Sequence, residues 1–147
     1  MMELGAEISS IAYVIQLSVA PVFLLTAVGA MLGVLTSRLA RVVERARSLE
    51  DRYAETPAEG QTPLRRDLKV QARRARLIYV SMGLCAVCAL LVCSVIVTLF
   101  ASALVRAEFA VPIAVLFVAA MLAFIGALLF FLREVHLATT TLRIGPP

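Results

Sequence analysis

Tryptophan is absent from this chain, histidine occurs once (His136) and lysine once (Lys69), against thirteen arginines. Charge is scarce as well. Asp, Glu, Lys and Arg make up 16% of the 147 residues, where a soluble domain carries about 25%. The scarcity is uneven: residues 11–36, 77–104 and 109–132 hold no Asp, Glu, Lys, Arg or His. A charge at mid-membrane costs about 2.5–3.5 kcal/mol on insertion scales, so three long uncharged runs exclude a water-soluble fold and predict three spans. A hydrocarbon core of about 30 Å takes roughly 20 apolar residues as helix, and each run is long enough. The same lack weighs against a proton-coupled carrier, which keeps acids or histidine inside the membrane.

Ligands and nucleophiles are also missing. Cys85-Ala86-Val87-Cys88 has C-x-x-C spacing, but it lies inside an apolar run. With Cys93 it offers three ligands, whereas a structural zinc site takes four, and the one histidine lies elsewhere. Thiols in lipid behave as small apolar groups. No serine–histidine–acid set, paired carboxylates or phosphate-binding glycine loop can be assembled. The expectation is no catalytic residue, no metal and no cofactor, hence not an enzyme.

What the chain does have is arginine, and it is concentrated. Residues 37–76 hold eleven of the fourteen Lys and Arg residues. In a soluble protein the formal charge of +4 would suggest nucleic acid. Between two spans it sets topology and meets anionic headgroups, so no nucleic acid is expected. The basic segment is placed in the cytoplasm, with the acidic N-terminus (Glu3, Glu7) outside. The link carrying Arg106 and Glu108 is outside too, and the tail with Arg133 and Arg143 is cytoplasmic. The N-terminal region is acidic and the first run is too long for a signal peptide, so a retained helix is expected.

Leu35, Leu39, Val42, Ala46, Leu49 and Tyr53 recur at heptad-like spacing, so the first helix should continue beyond the membrane to about Arg52. Arg38, Arg41, Arg45 and Arg52 form a second stripe about 100° round. Residues 54–63 read as a loop, with Thr62 as cap and Pro63 at the first helical position. A returning helix presents Leu64, Leu68, Gln71, Ala75 and Tyr79. The predicted fold is therefore an all-α membrane protein. Three transmembrane helices, with a cytoplasmic helical hairpin (stalk) between helices 1 and 2, make a single membrane domain over residues 1–147.

Within the spans, Pro21 predicts a kink in the first helix. Gly29 and Gly33 form a GxxxG, which lets backbones approach closely. Packing within the subunit is the favoured reading for it, and a homo-oligomer contact is the other. Pro112, Ala119, Ala123 and Gly126 form a small-residue stripe expected to pack, opposite Phe117, Met121 and Phe124, which are expected to meet lipid. His136 reads as a simple interfacial residue. Glu134, the acid nearest the cytoplasmic boundary, falls level with an arginine belt of Arg38, Arg41, Arg73, Arg74 and Arg76. A structural ion pair with Arg38 or Arg41 is expected, set against a solvated acid beside Arg133.

Four stretches carry a resemblance: Pro21-Val22-Phe23-Leu24-Leu25, residues 37–47 (SRLARVVERAR), Arg73-Arg74-Ala75-Arg76-Leu77-Ile78 and residues 131–139 (FLREVHLAT). Together they resemble a bacterial membrane family catalogued as domain of unknown function 2721, over nearly the whole chain. The resemblance implies a small bacterial inner-membrane protein and supplies no activity or site residue.

The leading functional expectation is a non-enzymatic interaction or scaffold module, expected to be a homo-oligomer. Arg38, Arg41, Arg45, Arg52, Arg73, Arg74 and Arg76 would present a surface to anionic membrane lipid or an acidic protein partner. The alternative is a small oligomeric channel or transport component, with Ser18, Thr26, Ser94 and Thr98 lining a pore.

Overall fold

The computed structural model describes the backbone of residues 2–105 and 110–140, with side chains over 12–58, 60–105 and 110–139. Arg106, Glu108 and Arg143, which entered the topology argument, lie outside the described residues. Helix α1 runs Met2–Glu55, a single 3-10 turn covers Ala58–Gly60, α2 runs Gln61–Val105 and α3 runs Ala110–Thr140. Among the described residues there is no strand. All three helices are long and apolar enough to cross a membrane, which suggests a multi-pass membrane protein.

The helical assignment of α1 passes through Pro21 without a break and extends to Glu55, slightly beyond the expected end. The connection to α2 is correspondingly shorter than a 54–63 loop. It is held by three bonds: the Thr56 hydroxyl donates to Arg52 O (2.6 Å), Gly60 N–H to Pro57 O (2.9 Å) and Gln61 Nε2 to Thr56 O (2.9 Å). Gly60 is tight here, since a Cβ on it would lie 2.8 Å from Thr56 Cγ2.

Each helix buries one face at alternating steps of three and four residues. On α1 the face runs Val14, Ser18, Pro21, Val28, Leu35 and Val42, and Leu39, Ala46, Leu49 and Tyr53 continue it half-buried. On α2 the buried positions include Gln71, Ile78, Ser81, Cys85, Cys88, Val92, Val95 and Leu99. Ile78, not the expected Tyr79, is inward; Tyr79 is 59% exposed. The one-residue difference, about 100° round the helix, follows the register set by Gln71, because 71, 75 and 78 share a face and 79 rotates off it.

On α3 the inner face is Ile113, Phe117, Ala120, Phe124, Ala127, Phe131 and Glu134. This corrects the expected stripe. Ala119, Ala123 and Gly126 are only half-buried and Pro112 is exposed, while Ala120 and Ala127 are fully covered. The face is thus one residue round from the expected one, and Phe117 packs inward. Outward, large apolar side chains are bare, including Phe23, Leu90, Leu104 and Val111. An aqueous fold would cover that much apolar surface, whereas lipid solvates it.

The chain divides into two compact units. The first comprises α1 up to Met31 with Leu84–Ile125. Its core is Val14, Val95 and Leu99, with Ile113, Leu116 and Phe117 packed against them. The second comprises Leu32–Gly83 and the chain from Gly126 onward. Leu35, Val42, Ile78, Ser81, Ala127 and Glu134 are buried there. Ser81 donates its hydroxyl to Ala127 O across 2.8 Å, joining α2 to α3 where alanine permits close approach.

Candidate functional site

The second unit contains a buried carboxylate. Glu134 takes the next step of three after Phe131 on the inner face of α3, so the spacing that buries Ala127 and Phe131 buries it too. Its side chain is 0% exposed. Arg38 Nη1 donates to Oε2 (2.9 Å), and Arg74 donates to Oε1 from Nε (3.2 Å) and Nη2 (2.9 Å). One residue from each of α1, α2 and α3 therefore meets at this point. The Arg38 guanidinium also lies 5.1 Å from the centre of the Phe131 ring, within cation–π range. A carboxylate out of water costs several kcal/mol, and only partners this close can offset that. Two arginines against one acid leave the cluster with a net charge of +1.

Arg38 is one of the two partners expected. Arg41, the other, makes no ion pair among the described residues. Arg74 was placed in the belt around Glu134 but not named as its partner. The signal for it was present: 74 falls three past Gln71 and four before Ile78, on the inner face, while Arg73 and Arg76 fall outside it. Arg38 and Arg74 thus have their guanidiniums committed to Glu134 and are only partly available to a lipid or partner.

Beside this cluster lies an open groove of about 1090 Å³. It is lined by five arginines (Arg38, Arg41, Arg45, Arg52 and Arg74) and one acid, Glu44, with Ser48, Leu49 and Gln71 among the rest. The expected arginine stripe of α1 is therefore gathered on one wall. Arg76 is exposed and lies outside this groove, and Arg73 lies on a different one. Gln71 is 7% exposed, and its Oε1 is buried with no hydrogen-bond partner among the described residues. An unmet buried acceptor costs about 1–3 kcal/mol, so a polar residue at an inner-face position needs a reason.

Gly29 and Gly33 do not pack against another helix among the described residues: a Cβ on either would meet nothing within 4 Å. The favoured intra-subunit reading of the GxxxG is corrected by that. Of the proposed pore hydroxyls, Ser18 donates to Val14 O, Thr26 to Val22 O, Ser94 to Leu90 O and Thr98 to Ser94 O. Each proton is committed to its own helix. Cys85 and Cys88 are buried and Cys93 is exposed, and no group of His, Cys, Asp or Glu among the described residues could hold a metal.

One family model, described as a protein of unknown function (DUF2721), matches residues 18–144 of the chain. No curated protein and no solved structure matches it.

Proposed function

We propose, for a chain that belongs to the DUF2721 family, that it is a non-enzymatic interaction module of a bacterial inner membrane. Its arginine groove holds an acidic segment of a partner protein. The observation that carries this reading is the groove itself, lined by four arginines of α1, one of α2 and a single acid, Glu44. Glu134 neutralises part of the charge of Arg38 and Arg74, which leaves Arg41, Arg45 and Arg52 as the working cations.

Length along the helix separates protein from lipid as the occupant. Arg38 to Arg52 is fourteen residues, or about 21 Å at 1.5 Å per residue. The headgroup layer of one leaflet is about 5–8 Å thick, and salt screens beyond about 8 Å. With Arg38 at the headgroups, lipid serves the first turn or two and Arg52 stands in water. A partner chain reaches the whole stripe.

In this reading the groove is cytoplasmic and the N-terminus outside, by the concentration of arginine in residues 37–76. The open faces at Gly29 and Gly33 support self-association. The commitment of the span hydroxyls to their own helices gives the channel alternative no support.

The test uses the full chain in nanodiscs and a fluorescent deca-glutamate peptide, read by anisotropy. Binding is expected to weaken with salt and to be lost in Arg41→Glu/Arg45→Glu. These side chains are exposed and outside the Glu134 cluster, so the melting midpoint should stay put. Equal peptide binding by variant and wild type would sink the reading.

A further inference from the structure

A second groove of about 700 Å³ lies in the same unit, and the arginine stripe of α1 takes no part in it. Its walls come from α2 and α3. Arg73, Arg133 and His136 stand at one end, and Leu77, Gly126 and Phe130 line the other. The polarity is ordered by helix direction. On α2, Arg73 comes one turn before Leu77; on α3, Arg133 comes after Gly126 and Phe130. The offsets are about 6 Å and about 10 Å along the axes. That is comparable with the headgroup layer of about 5–8 Å per leaflet, so the cations sit at phosphate depth when Leu77 and Gly126 sit at the hydrocarbon edge.

Arg73 and Arg133 are the immediate sequence neighbours of Arg74 and Glu134. A step of about 100° per residue turns one member of each adjacent pair inward and the other outward. Arg74 and Glu134 close on each other inside, while Arg73 and Arg133 are exposed on the groove and make no ion pair among the described residues. The buried ion pair thereby fixes the backbone under two outward arginines. Gly126, which has no side chain, lines the apolar part of the groove beside Leu77 and Phe130.

We infer that this groove is a binding site for an anionic phospholipid. The phosphate sits between Arg73 and Arg133, and one acyl chain lies along Leu77, Gly126 and Phe130. The site goes beyond the acidic-partner reading and does not depend on it. Its cations are other residues, on another face.

Native mass spectrometry tests it, on the full chain released from nanodiscs of equal dioleoyl-phosphatidylglycerol and dioleoyl-phosphatidylcholine. At about 1 kcal/mol per surface arginine, two arginines favour the anionic lipid by about 30-fold in retained adducts. Arg73→Gln/Arg133→Gln should bring the ratio close to one without lowering the melting midpoint. Arg41→Gln/Arg45→Gln should leave it unchanged, which separates this site from the arginine groove. Gly126→Leu, which adds bulk to the apolar wall while keeping both arginines, should reduce retention of phosphatidylglycerol at least tenfold. An unchanged ratio in the arginine double variant overturns the proposal. So does displacement of the lipid by soluble glycerol phosphate at millimolar concentration, because the site would then take a phosphate and not a lipid. Full retention by a folded Gly126→Leu would overturn the acyl seat.

Discussion

Glu134→Gln isolates the charge of the buried cluster, because the amide keeps the volume and opens no cavity. The carboxylate accepts three bonds from two guanidiniums. Glutamine keeps one acceptor oxygen and turns an NH₂ donor toward the other arginine. Removing one partner of a fully buried ion pair costs about 3–5 kcal/mol. Here Arg38 and Arg74 retain 36% and 20% side-chain exposure, so water recovers part of that cost. The expected loss is about 2–3 kcal/mol, or about 5–10 °C in melting midpoint for a chain of this size. Circular dichroism melts in nanodiscs read it, with Arg133→Gln, the exposed neighbour, as a control that should not move. A double-mutant cycle then apportions the pair energies. Coupling of Glu134 to Arg74, with two bonds and less exposure, should exceed coupling to Arg38. Equal midpoints for Glu134→Gln and wild type would refute the structural role. A larger Arg38 coupling would refute the reasoning from bond count and burial.

Gln71→Leu should raise stability by about 1 kcal/mol, since it removes an unmet buried acceptor at an apolar register position; a melt checks it. Ser81→Ala should cost about 0.6 kcal/mol, the mean for a hydrogen bond between helices in lipid. Ala127→Leu, which overpacks the same contact, should cost about 1–3 kcal/mol in the same melts. Gly29→Leu and Gly33→Leu should leave the melt of dilute protein within about 1 °C, because a Cβ meets nothing within 4 Å. Chemical crosslinking should show their self-association reduced, and a destabilised monomer would show instead that the glycine face packs within the chain. A membrane-permeant maleimide should label Cys93 in the folded chain well before Cys85 and Cys88, as mass mapping would show, since only Cys93 is exposed.

The three helices, their extension past the apolar runs and the family were legible in the sequence. Hydropathy depends on composition along the chain, and the 35–39–42–46–49–53 stripe depends on helix period, so neither needs the neighbouring helices to be known. The burial of Glu134 was half legible. Its level beside an arginine belt could be read, because helix ends return to the same boundary. Its second partner could not be read with the register of α2 set one residue off, at Tyr79 in place of Ile78.

By itself the sequence determined where apolar surface lies and how much of it there is, because that is a property of residues taken one at a time. Only the tertiary structure decided which face of each apolar helix turns inward. In a helix apolar all round, no polar face marks the outside, and close contacts such as Ser81 to Ala127 make the choice. That choice decided that Arg74 closes on Glu134 while Arg73 faces out, and that Gly29 and Gly33 stay open. One step of about 100° per residue is enough to exchange a buried ion pair for a surface cation.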